Sequence, residues 1–237
     1  MNLKTIRKNI NALSTEVYAT YEDIIKRIEK QSEKDSQLAK RALFYIFCAR
    51  RSLKVKELRH VLTVEVEDIE LDEIAFSETE ILLNISVNLI SVDEKSSITQ
   101  LVHYILQKYL EKNREKLLSD FEVELATTCL TYLSFDVFDS ESCSDEEALD
   151  QRLQAYQFLD YASHYWDHHV IENQLRMNSI LTYLKNDQKL SSFVQILHLA
   201  SYQTINWQNR FSKNFDSLHV LAYWDFDEIL SLFFEKT

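Results

Sequence analysis

Asp160, His164, Asp167, His168 and His169 fall within one short stretch and have the side chains from which metal sites and acid–base pairs are built. His164 and His168 are four residues apart. On an α-helix they share one face, as helical metal-binding pairs do. Asp160 lies a further turn back and could add a carboxylate oxygen. The set stops there. No Glu follows the first His, so the metalloprotease helix pattern is missing. No separated third ligand is evident, and two or three ligands leave a site incomplete. The competing reading is a partly buried aromatic–histidine seam with Tyr161, Tyr165 and Trp166. The expectation is therefore no metal and no other cofactor, with His164, His168 and Asp160 as the residues to inspect.

A second group is basic: Arg50, Arg51, Lys54, Lys56 and Arg59. Such a cluster can face nucleic acid or a protein partner. The chain as a whole carries a net charge of −12, which argues against nucleic acid and against an anionic membrane surface. Residues 65–80 hold eight acids and no base, Glu65, Glu67, Asp68, Glu70, Asp72, Glu73, Glu78 and Glu80, and are the expected counter-charge. Protein contact is the expected role of the basic group, and no small-molecule substrate is expected.

Other chemistry is narrowed by composition. The chain has 237 residues with no glycine and no proline. At ordinary usage, about 7% Gly and 5% Pro, roughly 28 would be present. Phosphate-cradling loops, nucleophile elbows and dinucleotide fingerprints all need Gly, so enzymes built on them are excluded. Redesign, a strongly biased gene and an invented sequence are three readings of the absence. Cys48, Cys129 and Cys143 form neither a disulfide framework nor a zinc motif, which suits a reducing, cytoplasmic interior. Cys129 sits on an apolar stripe and reads as an inert core thiol. The start of the chain is basic without an apolar signal core, and no long uncharged apolar run is present. No catalytic residues stand out, and the chain is expected not to be an enzyme.

The elements that must position these residues follow from apolar spacing. Val17, Tyr21, Ile24, Ile25 and Ile28 predict a helix with Ser14 as N-cap. Polar residues 32–36 break it, and a broadly apolar helix follows over 37–50. Shorter helices are expected over 55–64 and 79–87. Two apolar runs, 89–92 and 98–102, around a polar turn predict a β-hairpin. A helix over 104–116 completes a winged-helix layout. Helices are expected beyond it, with Phe121, Leu125, Cys129, Tyr132 and Leu133 as one stripe. Further helices are predicted over 149–158, 159–169, 175–184 and 190–199, with two short antiparallel helices over 217–234.

Several stretches resemble a known family. Tyr21-Glu-Asp-Ile-Ile-Lys-Arg-Ile-Glu-Lys30, Ala49-Arg-Arg-Ser-Leu-Lys-Val-Lys-Glu-Leu58 within 43–62, Leu101-Val-His-Tyr104 and Ala126-Thr-Thr-Cys-Leu-Thr-Tyr-Leu-Ser-Phe135 are similar to fungal NACHT–ankyrin (NLR-like) proteins. The similar region follows the NTPase module and is called the GPI inositol-deacylase-type winged helix. Ser217-Leu-His-Val-Leu-Ala222 with Glu228-Ile-Leu-Ser-Leu232 resembles a first ankyrin repeat. The family usually has Pro at position 52 and Gly at positions 167 and 225, where Ser52, Asp167 and Asp225 stand. Asp216 and Ser217 occupy the place of the ankyrin Thr-Pro.

The resemblance implies a mainly α protein with four parts: an N-terminal helical connector (1–32), a winged-helix domain with a small β-hairpin (33–117), a helical region (118–204) and one ankyrin-like helix pair (205–237). It implies a non-catalytic interaction or relay segment whose partners are the neighbouring NTPase and ankyrin modules of the parent chain. An engineered or degenerate helical scaffold without activity, and a winged-helix nucleic-acid binder, remain as alternatives. The deacylase of the family name is a serine hydrolase in other proteins, and its nucleophile elbow has no counterpart in a glycine-free chain.

Overall fold

A computed structural model describes residues 17–117, 119–169, 180–198, 216–224 and 226–235. The described residues are mostly helical, with one two-stranded antiparallel hairpin. The chain forms two compact units, 1–62 with 77–122 and 63–76 with 123–237.

In the first unit, α1 (17–29) buries Tyr21, Ile25 and Ile28. Helix α2 (Glu33–Cys48) starts four residues earlier than the apolar pattern predicts. Ser32 is the reason: its hydroxyl accepts the Asp35 N–H at 3.2 Å, satisfying one of the orphan donors of the first turn. The expected Ser14 cap lies outside the described residues. Helix α2 buries Ala39, Ala42, Leu43, Phe44 and Tyr45, while Leu38, Ile46, Phe47 and Ala49, which the apolar pattern also predicts inward, are half-buried. It ends where Ala49 turns extended.

Lys54 then makes an isolated bridge to Ile98 before α3 (Val55–Thr63) begins. Helix α4 (Thr79–Ile85) leads into β1 (Ile90–Asp93) and β2 (Ile98–Leu101), paired from Ile90 opposite Leu101 to Asp93 opposite Ile98. The Lys54 bridge adds a third, rudimentary strand on the far side of β2. The Val55 N–H donates to Ser97 O at 2.9 Å, and the Thr99 N–H and hydroxyl donate to Leu53 O at 2.8 and 2.7 Å. Helix, short strand, two helices and a hairpin make up the winged-helix order. Instead of one helix over 104–116, α5 (Tyr104–Lys112) stops at Asn113 and α6 (Arg114–Leu117) restarts. The Asn113 side-chain amide donates to Tyr109 O at 2.8 Å, competing for the carbonyl that a continuing helix would use.

The division between the units falls within α7 (Ser119–Leu133). In the second unit this helix buries Leu125, Ala126, Cys129, Tyr132 and Leu133. Tyr132 packs 4.9 Å from Phe135 and 5.4 Å from Phe158, measured between ring centroids. Helix α8 (Glu146–Ala155) begins earlier than the sequence predicts because Asp145 caps it, accepting the Ala148 N–H at 2.8 Å. The predicted single helix over 159–169 is two elements, α9 (Leu159–Tyr165) and a 3-10 turn (Asp167–His169). Helices α10 (180–184) and α11 (Asp187–Leu197) follow, the latter capped by Asn186. Residues 175–179 and Leu199 of the predicted helices lie outside the described residues.

Helices α12 (Ser217–Tyr223) and α13 (Asp227–Glu235) form the terminal pair. Trp224, just past α12, packs 5.2 Å from Trp166 and 5.6 Å from Phe193. Phe234 is exposed.

Turns without glycine are visible in the backbone. Glu67, Val87, Asn88, Ser97 and Glu141 all have positive φ, where glycine is favoured. Ser97 closes the hairpin in this way at φ 56°, in the αL position that ends many longer hairpin loops. The Asp93 carboxylate supports the loop by accepting the Lys95 N–H at 3.0 Å and the Ser96 hydroxyl at 2.7 Å.

Candidate functional site

The five basic residues do not form one patch. Arg50 and Arg51 line a groove of about 490 Å³ beside the hairpin, with Ile46, Phe47, Leu101 and Tyr104 among its apolar walls. Among the described residues no carboxylate lines this groove. The Arg51 guanidinium forks onto Glu57, donating to both carboxylate oxygens at 2.8 Å, and the Lys54 N–H donates to Glu57 Oε2 at 2.7 Å. Glu57 is buried, so this charge is satisfied three times over inside the fold. Lys56 is exposed on α3 and Arg59 half-buried.

Neither charge clustering nor apolar spacing singles out Glu57; its signal in the sequence is its place three residues after Lys54, where a Glu reaches back to the helix N-cap N–H, as in a capping box. The same helix buries His60. Burial, followed by the charges of Arg59 and Lys56, lowers the imidazole pKa to about 4, so His60 is neutral at pH 7.

In a winged helix that reads DNA, the helix before the hairpin enters the groove. Here that helix is α4, which carries exposed Glu80 and follows exposed Glu78, with Ile81 exposed at 46%. Such a surface would repel phosphates.

The histidine stretch is separated by the break after α9. His164 lies on α9, with Nδ1 2.9 Å from Asp160 O and 3.4 Å from the Asp160 carboxylate. His168 lies in the 3-10 turn, exposed, with Nδ1 3.6 Å from Asp167 Oδ2. His169 is buried, its Nε2 2.9 Å from the Tyr161 hydroxyl. The turn has a packing cause. Trp166 is fully buried, and the His169 N–H bonds back to Trp166 O three residues earlier. In 3-10 geometry residues i and i+3 eclipse, so His169 follows Trp166 inward. The expected i, i+4 pairing of His164 and His168 on one helix is lost with it. Among the described residues no three His, Cys, Asp or Glu side chains are grouped to hold a metal ion. The aromatic neighbours are those of a packed seam: Tyr161 lies 5.1 Å from both Phe158 and Tyr165.

The remaining histidines are local. His103 is the exposed N-cap residue of α5 at the rim of the groove. His219 closes a capping box with Asp216, which accepts the Leu218 and His219 N–H groups at 3.0 and 3.1 Å.

All three cysteines are free thiols. Burial pushes Cys48 up to about 12 and raises Cys129 further, and Cys143 is raised too. None is poised as a thiolate nucleophile at neutral pH. No helix among the described residues is long and apolar enough to cross a membrane.

No curated protein and no solved structure matches the chain. Residues 26–124, which hold the winged-helix elements of the first unit, match the family model described as GPI inositol-deacylase, winged helix domain.

Proposed function

We propose that this chain is a non-catalytic interaction segment that relays between an NTPase switch and an ankyrin sensor array in an NLR-like receptor. The winged-helix domain at 26–124 carries the reading, because its α4 presents acids where a DNA-reading helix needs bases. A winged helix that does not read DNA is left as a packing module. The terminal helix pair supports the sensor side of the proposal. Asp216 caps α12 through its carboxylate and substitutes for the ankyrin Thr-Pro that precedes Leu-His. A cytoplasmic setting fits the three free thiols.

The test has two steps. The gene that encodes the chain should also encode a phosphate-loop NTPase module upstream and ankyrin repeats downstream. The purified chain should then bind the separately expressed NTPase module more tightly in one nucleotide state than in the other. A gene lacking the NTPase module, or equal binding with ADP and ATP, sinks the relay reading.

A further inference from the structure

We propose that the exposed segment 65–74 of the second unit docks a partner protein that offers apolar side chains ringed by lysine and arginine. Val66, Ile69 and Ile74 are exposed at 65%, 61% and 96%. Large aliphatics gathered in one short segment mark a contact surface, as singly scattered ones do not. The fold adds another. Ile69 O accepts the Asp136 N–H at 2.8 Å, which brings Val137, also exposed, alongside Ile69. The aspartates of the segment are spent on its own turns. Asp68 accepts the Glu65 N–H at 2.7 Å, and Asp72 accepts the Ile74 N–H at 2.9 Å.

The glutamates select the occupant. Glu67, Glu70 and Glu73 are exposed between the aliphatics. Among the described residues of the second unit, no ion pair engages them. Burial, then Glu73 and Glu70, raises the pKa of Tyr156, so both carboxylates lie near one phenol ring. Covering the aliphatics with an uncharged surface would strip water from these carboxylates and give nothing back. A surface with Lys or Arg around its apolar contacts covers the aliphatics and pairs the carboxylates at once. Nucleic acid and an anionic membrane are repelled by the same charges. A second copy of the chain is opposed too, at a net charge of −12. This inference does not depend on the relay role, since any protein with such a surface would satisfy it.

The test uses the full chain and a fluorescent, end-blocked amphipathic peptide of leucine and lysine. A lysine–serine peptide of equal charge and a leucine–glutamate peptide are the controls. The leucine–lysine probe is expected to bind and to slow hydrogen exchange over 65–74. The lysine–serine peptide should bind at least tenfold more weakly, and the leucine–glutamate peptide not at all. Ile69→Ser with Ile74→Ser keeps the charge and should weaken the probe tenfold or more. Glu67→Gln, Glu70→Gln and Glu73→Gln together should do the same while keeping the aliphatics. All these side chains are exposed, so the melting temperature of each variant should stay as it was, which separates lost contact from lost fold. The proposal is overturned if the probe fails to bind, or binds without protecting 65–74. It is equally overturned if the lysine–serine peptide binds as well, or if either variant binds unchanged. Sedimentation that shows the chain pairing with itself, and pairing lost in the isoleucine variant, would make a second copy the occupant and also overturns it.

Discussion

Glu57 holds more structure than any of the basic residues around it. Its carboxylate joins the α3 N-terminus, through the Lys54 N–H, to Arg51 in the preceding loop. Glu57→Ala leaves Arg51 without its fork and the helix start without its acceptor. Urea unfolding should show a loss of about 2–3 kcal/mol, as for other charged hydrogen bonds with one buried partner. His60, on the same helix, gives a pH signature. Its pKa is near 6.5 ordinarily and about 4 in the fold. Between those values the unfolded chain binds a proton that the folded chain refuses. Stability is therefore fully present above about pH 6.5 and drains away as pH falls towards about 4, by up to about 3 kcal/mol. The difference in unfolding free energy between pH 7 and pH 5 should shrink in His60→Gln; an unchanged difference would show that His60 is not the group responsible.

At the scale of elements, apolar spacing makes the winged-helix order legible in the sequence. Pattern placed the hairpin runs, α3, α4 and the buried face of α2, because each presents a stripe at helical or strand period. Pattern failed at ends and breaks, where single side chains decide. Ser32 and Asp145 start helices earlier than their apolar residues do, Asn113 stops one, and Trp166 turns another into 3-10 geometry. The groove was illegible for a different reason: it arises where the 49–52 chain leaves β2, which periodicity does not encode. Turn chemistry was also hidden, since no Gly marks the left-handed positions. Glu141 is the extreme case, at φ 63° and ψ −160°, a region that is essentially glycine-only. Its carbonyl is held by Ser192 Oγ at 2.6 Å and Arg152 Nη1 at 2.8 Å, which keep the strained conformer in place. Glu141→Gly should stabilise the protein by about 1 kcal/mol and raise its melting temperature, whereas Glu141→Ala should not. No gain from the glycine variant would mean that the strain is relieved elsewhere.

For the molecule as a whole, the net charge of −12 weighs against phosphate backbones as partners, and contact with other proteins belongs to the role proposed above. The groove lined by Arg50 and Arg51 is a local exception to a net charge of −12. The buried thiol on α7 gives the second unit a clock. Cys129 is fully covered, and burial raises its pKa well above the ordinary thiol range, so the folded form offers a labelling reagent neither access nor thiolate. Cys143 and Cys48 are only partly covered, and Cys143 should be modified first, because burial pushes the Cys48 thiol up to about 12. A disulfide reagent in excess should therefore modify Cys143, then Cys48, then Cys129, the last phase insensitive to reagent concentration once opening limits it. Each molecule modified at Cys129 then records one excursion of α7 out of its native packing. The lifetime of the folded second unit can be read from thiol chemistry alone, with no label added to the chain.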